Sequence, residues 1–138
     1  MDDSLRQLVR TRAGGCCEYC RVPESLFPHV FTIDHIVARQ HGGPTHPDNL
    51  AFVCQHCNSH KGPNIAGLDP ITRRLTRLFH PRQDRWEDHF EWAGHEVVGT
   101  TDVGRTTVMV LAMNDDDMRG LRAVLLLEGV FPPLPGKS

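Results

Sequence analysis

The sequence predicts an α+β protein in which a β-β-α unit precedes a second, smaller α+β segment. Two short runs rich in β-branched and aromatic residues, 30–33 and 50–53, are separated by a polar stretch that contains glycine. A stretch without helix breakers follows over 55–61, and apolar residues recur at helical spacing over 115–128. Two Cys-x-x-Cys pairs flank the β-rich runs and are expected to pin the base of the ribbon that these runs form.

The bulk composition fits one domain, or one small domain with an extension. The chain has 138 residues, of which 39% are hydrophobic and 23% are charged. It has no run of 18 apolar residues, so no membrane span is predicted. The start, Met1-Asp2-Asp3-Ser4, lacks the basic and apolar pattern of a secretory signal, and we expect a cytoplasmic protein. In that reducing compartment the cysteines should be thiols or metal thiolates.

The elements of the first half follow from local signals. Ser4 is the predicted N-cap of a first helix, which Gly14-Gly15 ends. The run from Val30 to Ile33 predicts one strand and Leu50–Val53 a second. The chain between them, from Val37 to Pro47, is predicted to be a loop, and Gln55 to Lys61 a short helix that ends at Gly62-Pro63.

The second half contains weaker signals. Asp69-Pro70 predicts the start of a helix whose apolar stripe is Ile71, Leu75, Leu78 and Phe79. Residues 89–92 and 96–99 predict a hairpin, whereas 106–112 fit a strand or a helix. Asn114 is the predicted cap of a final helix over 115–128. We expect a core at 1–67 and an extension at 68–138 that packs on it.

The cysteine spacing predicts a metal site. An x-x spacer lets both sulfurs of a pair reach one ion, and two such pairs are typical of a tetrahedral structural zinc site. The alternative is four unrelated thiols in a reduced protein. Cys16 adjoins the first pair but lacks the x-x spacing to Cys20. The predicted Zn²⁺ ligands are therefore Cys17, Cys20, Cys54 and Cys57.

Asp34-His35 lies between the two pairs and predicts an active site. An imidazole with a pKa near neutrality is a natural general base for water, and a carboxylate suits Mg²⁺ or Mn²⁺. Asn58 offers an amide oxygen as a second ligand, and the Asn49 amide could bridge backbone groups and hold the loop that carries His35. Each of these residues alone would more often be a solvated surface group. Their joint spacing is what indicates phosphodiester hydrolysis, which needs a base and a cation.

Residues 16–62 resemble the HNH endonucleases of the ββα-metal (His-Me finger) class. The resemblance is carried by Cys-x-x-Cys, Asp34-His35-Ile36-Val37, Gly42-Gly43, Asn49-Leu50, Cys-x-x-Cys-Asn58 and Lys61-Gly62. It implies that His35 is the general base, that Asp34 and Asn58 hold the catalytic ion and that Asn49 orients the loop. It also implies DNA cleavage to 5′-phosphate and 3′-hydroxyl ends. Ala38 replaces a frequent proline, and the last motif position is Asn where many members have His.

Residues 78–90 are similar to a C-terminal extension of small bacterial HNH proteins. No chemical role follows from this similarity. Trp86, Phe90 and Trp92 predict a small satellite core there. The arginines of the predicted helix after Asp69 would lie opposite its apolar stripe, where solvation or ion pairing competes with phosphate contact.

The expected partner is DNA, with RNA as an alternative substrate, although the net charge is only −2. Candidate nucleic-acid contacts are Arg39, Lys61, Arg73, Arg74 and Arg77, with Lys61 on a phosphate that flanks the site. Two other functions fit parts of the pattern. One is a non-catalytic zinc-knuckle module that binds nucleic acid or protein, and the other is a nickase subunit that depends on a protein partner. The sequence predicts no oligomeric state.

Overall fold

The computed structural model describes residues 1–26 and 30–132. The first half contains α1 (Asp3–Arg12), β1 (Thr32–His35), β2 (Leu50–Val53) and α2 (Gln55–Lys61). The second half contains β3 (Ala66–Leu68), β4 (Leu75–Arg77), α3 (Trp86–His89), β5 (Phe90–Ala93), β6 (Glu96–Gly99), α4 (Asp102–Val110) and α5 (Asp116–Leu127). The strands described pair into three separate antiparallel two-stranded sheets. The predicted α+β class is confirmed.

The β-β-α unit has the predicted elements. β1 and β2 pair from Thr32 opposite Val53 to His35 opposite Leu50. The loop between them contains two single 3₁₀ turns, at Arg39–His41 and Pro47–Asn49. The Cys54 side chain caps α2 by accepting the Cys57 N–H, and Gly62, with a φ of 51°, ends the helix. Local signals were sufficient to locate this unit.

The N-terminal helix begins two residues earlier than predicted. Its N-cap is Asp2, whose carboxylate accepts the Leu5 N–H at 2.8 Å, so Ser4 lies within the first turn. From the last turn, the Arg12 guanidinium donates to the carbonyl oxygens of Pro47 and Leu50 at 2.7 and 2.6 Å. The helix is thereby attached to the end of the long loop.

The prediction of a helix after Asp69 is wrong. Asp69 does not begin a helix but stabilises the turn of the β3–β4 hairpin, accepting the Ile71 N–H at 3.1 Å and the Thr72 hydroxyl at 3.0 Å. Arg105 of α4 donates to both carboxylate oxygens of Asp69 at 3.0 and 2.8 Å. Ile71 and Leu75, predicted to be buried on one helical face, are 71% and 77% exposed.

The remaining elements of the second half differ less from prediction. The β5–β6 hairpin is confirmed. Most of the ambiguous stretch 106–112 lies in α4, which begins before it, and the Thr101 hydroxyl caps this helix by accepting the Gly104 N–H at 3.0 Å. The cap of α5 is Asp115 and not Asn114. The Asn114 amide instead pairs with the backbone of Val97, at 2.9 and 2.7 Å.

One hydrophobic cluster extends through both halves of the chain. Trp86 and Phe90 belong to it together with Tyr19 and Phe52, and Trp92 packs against it, so the predicted satellite core is part of a larger one. The Trp86 indole N–H donates to the Tyr19 carbonyl at 2.8 Å.

The predicted boundary after residue 67 falls inside β3, and the division into core and extension stays a prediction. None of the helices in the described part of the chain has the length and apolar character needed to cross a bilayer.

Candidate metal centre and active-site cleft

The four predicted zinc ligands come together at the base of the β1–β2 ribbon. Their sulfur atoms all lie within 4.8 Å of one another, and all four residues are fully buried. The Cys20 and Cys54 sulfurs are 3.7 Å apart. Sulfurs bound tetrahedrally at about 2.3 Å from one zinc ion lie about 3.8 Å apart, so the cluster fits zinc. Cys16 is not a member of this group.

Each pair has the same local geometry. The backbone N–H of Cys20 points at the Cys17 sulfur, at 3.5 Å, and that of Cys57 at the Cys54 sulfur, at 3.4 Å. Burial raises the pKa of Cys20, and hydrogen bonds within the cluster raise that of Cys57. Burial also opposes ionisation of Cys17, but hydrogen bonds with the other three cysteines outweigh it and lower its pKa. A cation is what would allow several thiolates to coexist here.

An open cleft of about 390 Å³ lies along β1 and the end of α2. Asp34, His35 and Asn58 all line it, and Arg39 from the first 3₁₀ turn does so as well. The structure therefore brings the predicted base and both predicted ligands of the catalytic ion to one surface depression. Of the predicted nucleic-acid contacts, only Arg39 lines the cleft within the described residues.

The His35 imidazole is held by a residue that the sequence analysis missed. His35 Nε2 lies 2.8 Å from the Thr45 hydroxyl oxygen, across the loop between the strands. Thr45 follows Gly43-Pro44, where turn signals dominate the sequence, and no spacing rule connected it to His35. The bond fixes the ring orientation at the edge of the cleft.

Lys61 is placed differently from the predicted surface contact to a phosphate. It is only 1% exposed, and its ammonium nitrogen lies 2.9 Å from Asp34 Oδ2 and 3.4 Å from the His35 carbonyl oxygen. The approach to Asp34 is an ion pair without good hydrogen-bond angles. Burial raises the pKa of Asp34, and the positive charge of Lys61 opposes that rise. Lys61 thus joins α2 to β1 beneath the cleft.

Asn49 organises the loop that follows β1. Its side-chain oxygen accepts the Val37 N–H at 2.9 Å, and its amide nitrogen donates to the carbonyls of Val37 and Pro44 at 3.0 and 2.9 Å. Its own carbonyl accepts the Ile36 N–H at 2.8 Å. A side chain at Gly43 would collide with the Val37 carbonyl and the Asn49 amide, so this loop is closely packed.

The other three arginines predicted to contact nucleic acid lie in the β3–β4 hairpin. Arg73 and Arg74 are in its exposed turn, and Arg73 has a positive φ of 63°. Arg77 is in β4, where its guanidinium binds both carboxylate oxygens of Asp84 at 2.6 and 3.1 Å. The helical arrangement from which a shared arginine face was inferred does not exist. Their role toward nucleic acid stays a prediction.

Comparison with known proteins adds one finding. Residues 17–64 match the family model described as HNH endonuclease, a span that includes both cysteine pairs, the ribbon and α2. No curated protein and no solved structure matches the chain. The match covers the same segment as the buried cysteine cluster and the cleft. Residues 17–64 of this chain are therefore similar to the HNH endonuclease family, and their cysteine cluster fits its zinc-binding form.

Proposed function

We propose that this protein is a divalent-metal-dependent endonuclease that hydrolyses DNA phosphodiester bonds with His35 as the general base. The observation that supports this most directly is that His35, Asp34 and Asn58 line one open cleft in the segment that matches the HNH family. An endonuclease must admit a continuous strand, and an open depression suits that need better than an enclosed pocket.

The hydrogen bond of His35 supports its role as a base. If Nε2 carries the proton and donates to the Thr45 hydroxyl, Nδ1 keeps a lone pair. That nitrogen takes the proton of the attacking water. The water oxygen forms a bond to phosphorus, and the bond from phosphorus to the 3′ oxygen breaks. The products are a 5′-phosphate and a 3′-hydroxyl, the latter completed by a proton from solvent.

Asp34 and Asn58 would hold Mg²⁺ or Mn²⁺, because both offer the hard oxygen atoms that these ions prefer. Asp34 Oδ2 is ion-paired with the Lys61 ammonium, so Oδ1 is the carboxylate oxygen left for a cation in the cleft. When bound, the ion stabilises the charge that develops on the leaving oxygen. Lys61 keeps the Asp34 carboxylate in place beneath the cleft. Asn49 supports the reaction indirectly, by holding the loop between β1 and Thr45.

The choice of DNA over RNA rests on the family. Arg39 at the cleft could contact a phosphate of either nucleic acid, and the net charge of −2 gives no general attraction for them. We further propose that the protein works in the cytoplasm. Five cysteines that form no disulfide in the structure suit a reducing compartment.

The test is cleavage of supercoiled plasmid by the purified full chain with Mg²⁺ or Mn²⁺, with EDTA as the control for metal dependence. His35→Ala should lower the rate by about 10²–10⁴-fold, because a positioned base contributes that much. His95→Ala is the matched control, since His95 is an exposed histidine in the β5–β6 turn. Single-stranded DNA and RNA substrates test the substrate class.

Two outcomes would overturn the proposal. One is cleavage by His35→Ala at the wild-type rate in preparations free of contaminating nuclease. The other is tight binding of DNA without cleavage under any metal, which would favour the non-catalytic zinc module.

A further inference from the structure

A second group of metal-ligand side chains lies outside both the cysteine cluster and the cleft. It consists of His56, His60 and Asp115, whose ligand atoms all lie within 4.8 Å of one another. The histidines are four residues apart on α2 and so share one face, which is turned away from that of Asn58. Asp115 is the N-cap of α5, in the second half of the chain. The group therefore bridges the HNH helix and the C-terminal segment.

The hydrogen bonds of the two histidines leave one ring nitrogen of each available to bind a metal ion. His56 Nε2 lies 2.8 Å from the Ala112 carbonyl oxygen, and His60 Nδ1 lies 2.9 Å from the His56 carbonyl oxygen. A carbonyl can only accept, so both of these nitrogens carry protons. His56 Nδ1 and His60 Nε2 are left with lone pairs. Histidines that bind metals commonly donate their other N–H to a carbonyl or carboxylate in this way.

The two carboxylate oxygens of Asp115 also have different partners. Asp115 Oδ1 accepts the Met118 N–H at 2.9 Å as the helix cap, whereas Oδ2 lies 3.7 Å from His56 Nδ1. Two ligands bound tetrahedrally at about 2.1 Å from zinc are about 3.4 Å apart, close to that separation. Ala112, whose carbonyl orients His56, has a positive φ of 47°, a conformation that is unfavourable for a residue with a side chain. The backbone is thus strained at the point that fixes the histidine.

We propose that His56, His60 and Asp115 bind a second divalent transition-metal ion, with Zn²⁺ as the best fit and water in the fourth position. Two imidazoles and one carboxylate with an open position form a donor set used for zinc. With no thiolate, the site should hold zinc more weakly than the cysteine cluster. The ion would link α2 to the start of α5. Its role is therefore structural, and the proposal stands whether or not the cleft is catalytic.

The test is titration of the full chain with Zn²⁺ by calorimetry, after a mild chelating resin has removed weakly held ions. Elemental analysis first establishes that one zinc remains in the cysteine cluster. We expect one further equivalent to bind the wild type. His60→Ala should weaken it at least tenfold, and His60 is exposed, so the substitution should leave the fold intact. Asp115→Asn should do the same, because asparagine caps a helix as well as aspartate does.

Two controls separate this site from others. His95→Ala should bind the further equivalent normally, which excludes general histidine binding. Asp34→Asn should also bind it, which separates it from a cation in the cleft. Excess Zn²⁺ should raise the melting temperature of the wild type but not that of His60→Ala. The proposal is overturned if the wild type binds no further equivalent, or if His60→Ala and Asp115→Asn bind it as tightly as the wild type does.

Discussion

At the scale of single residues, the cleft depends on side chains that fix other side chains. His35 is held by the Thr45 hydroxyl, and Asn49 makes three hydrogen bonds with the backbone of the loop in between. The spacing of motif residues identified Asn49 from the sequence, because its partners lie within one loop. Thr45 was missed, since its contact with His35 exists only once the loop has closed.

Thr45→Val should lower the cleavage rate by roughly two- to tenfold, because one hydrogen bond of about 0.5–1.5 kcal/mol holds the imidazole. Thr45→Ser keeps the hydroxyl and should retain most of the activity. Single-turnover rates on plasmid measured across pH provide the check, because loss of the bond should change the pH dependence as well as the rate. Equal rates and pH profiles for Thr45→Val and the wild type would show that the bond has no part in catalysis.

At the scale of elements, the ribbon and α2 are joined by the Asp34–Lys61 ion pair, in which the Lys61 side chain is 2% and the Asp34 side chain 12% exposed. Removal of one partner of such a pair leaves a buried charge without compensation. A cation in the cleft would compete for the same carboxylate. The stability of the β-β-α unit and its metal binding are therefore coupled through Asp34.

Lys61→Met should destabilise the protein by about 2–4 kcal/mol, because the Asp34 carboxylate loses its partner. Mg²⁺ should raise the melting temperature of Lys61→Met more than that of the wild type, since the ion can replace the ammonium. Thermal melts with and without Mg²⁺ measure both effects, and the double variant Asp34→Asn/Lys61→Met serves as the control that lacks both charges. A Mg²⁺ response equal in all three proteins would contradict the coupling.

The β3–β4 hairpin shows why part of the second half was not predictable. Asp69-Pro70 has the local pattern of a helix start, but the Asp69 carboxylate is bound by Arg105, a residue 36 positions later in the chain. No window of neighbouring residues contains that information. The hairpin at 90–99 and helix α2 were predicted because turn residues and breakers lie next to them in sequence.

Asp69→Asn should destabilise the protein by an amount that is constant from pH 8 to pH 5. Hydrogen bonds from Arg105 hold the pKa of Asp69 well below its usual value of 3.8. A carboxylate with a lowered folded-state pKa contributes stability above its unfolded pKa and loses it as the pH falls further. The difference in free energy of unfolding between wild type and variant should therefore shrink only below about pH 3.8. Urea melts across pH test this, with Asp117→Asn as a surface control. A difference that already shrinks between pH 7 and 5 would contradict it.

At the scale of the whole molecule, contacts join the segment of the first cysteine pair, residues 17–20, to the C-terminal half of the chain. Arg82 forms an ion pair with Glu18, and Trp86 donates to the Tyr19 carbonyl. Glu18 also accepts the Phe52 N–H at 2.8 Å, so the pair reaches β2. Glu18 and Tyr19 lie between Cys17 and Cys20, so loss of a metal ion held by the cysteine cluster should affect both halves of the chain.

Cys54→Ser should cause loss of folded, soluble protein, because a structural zinc site contributes on the order of 10 kcal/mol of apparent folding free energy. Cys16→Ser should retain the zinc and the fold, since its sulfur lies outside the cluster. Elemental analysis and thermal melts of both variants provide the measurement. Brief EDTA treatment of the wild type should stop cleavage without unfolding. A folded, active wild type that contains no zinc would refute the structural role of the cluster.

The register of β1 against β2 limits the insertions and deletions that β1 can accept. Asp34 lies opposite Ala51 and His35 opposite Leu50; the Asp34 carboxylate reaches Lys61 beneath the cleft, and the His35 imidazole reaches Thr45 at its edge. One inserted residue in β1 would shift both side chains out of register with these partners. An insertion in the exposed β5–β6 turn would cost little more than the entropy of a longer loop. Evolution can therefore lengthen this protein at its hairpin turn, but β1 must keep its length for the chemistry to survive.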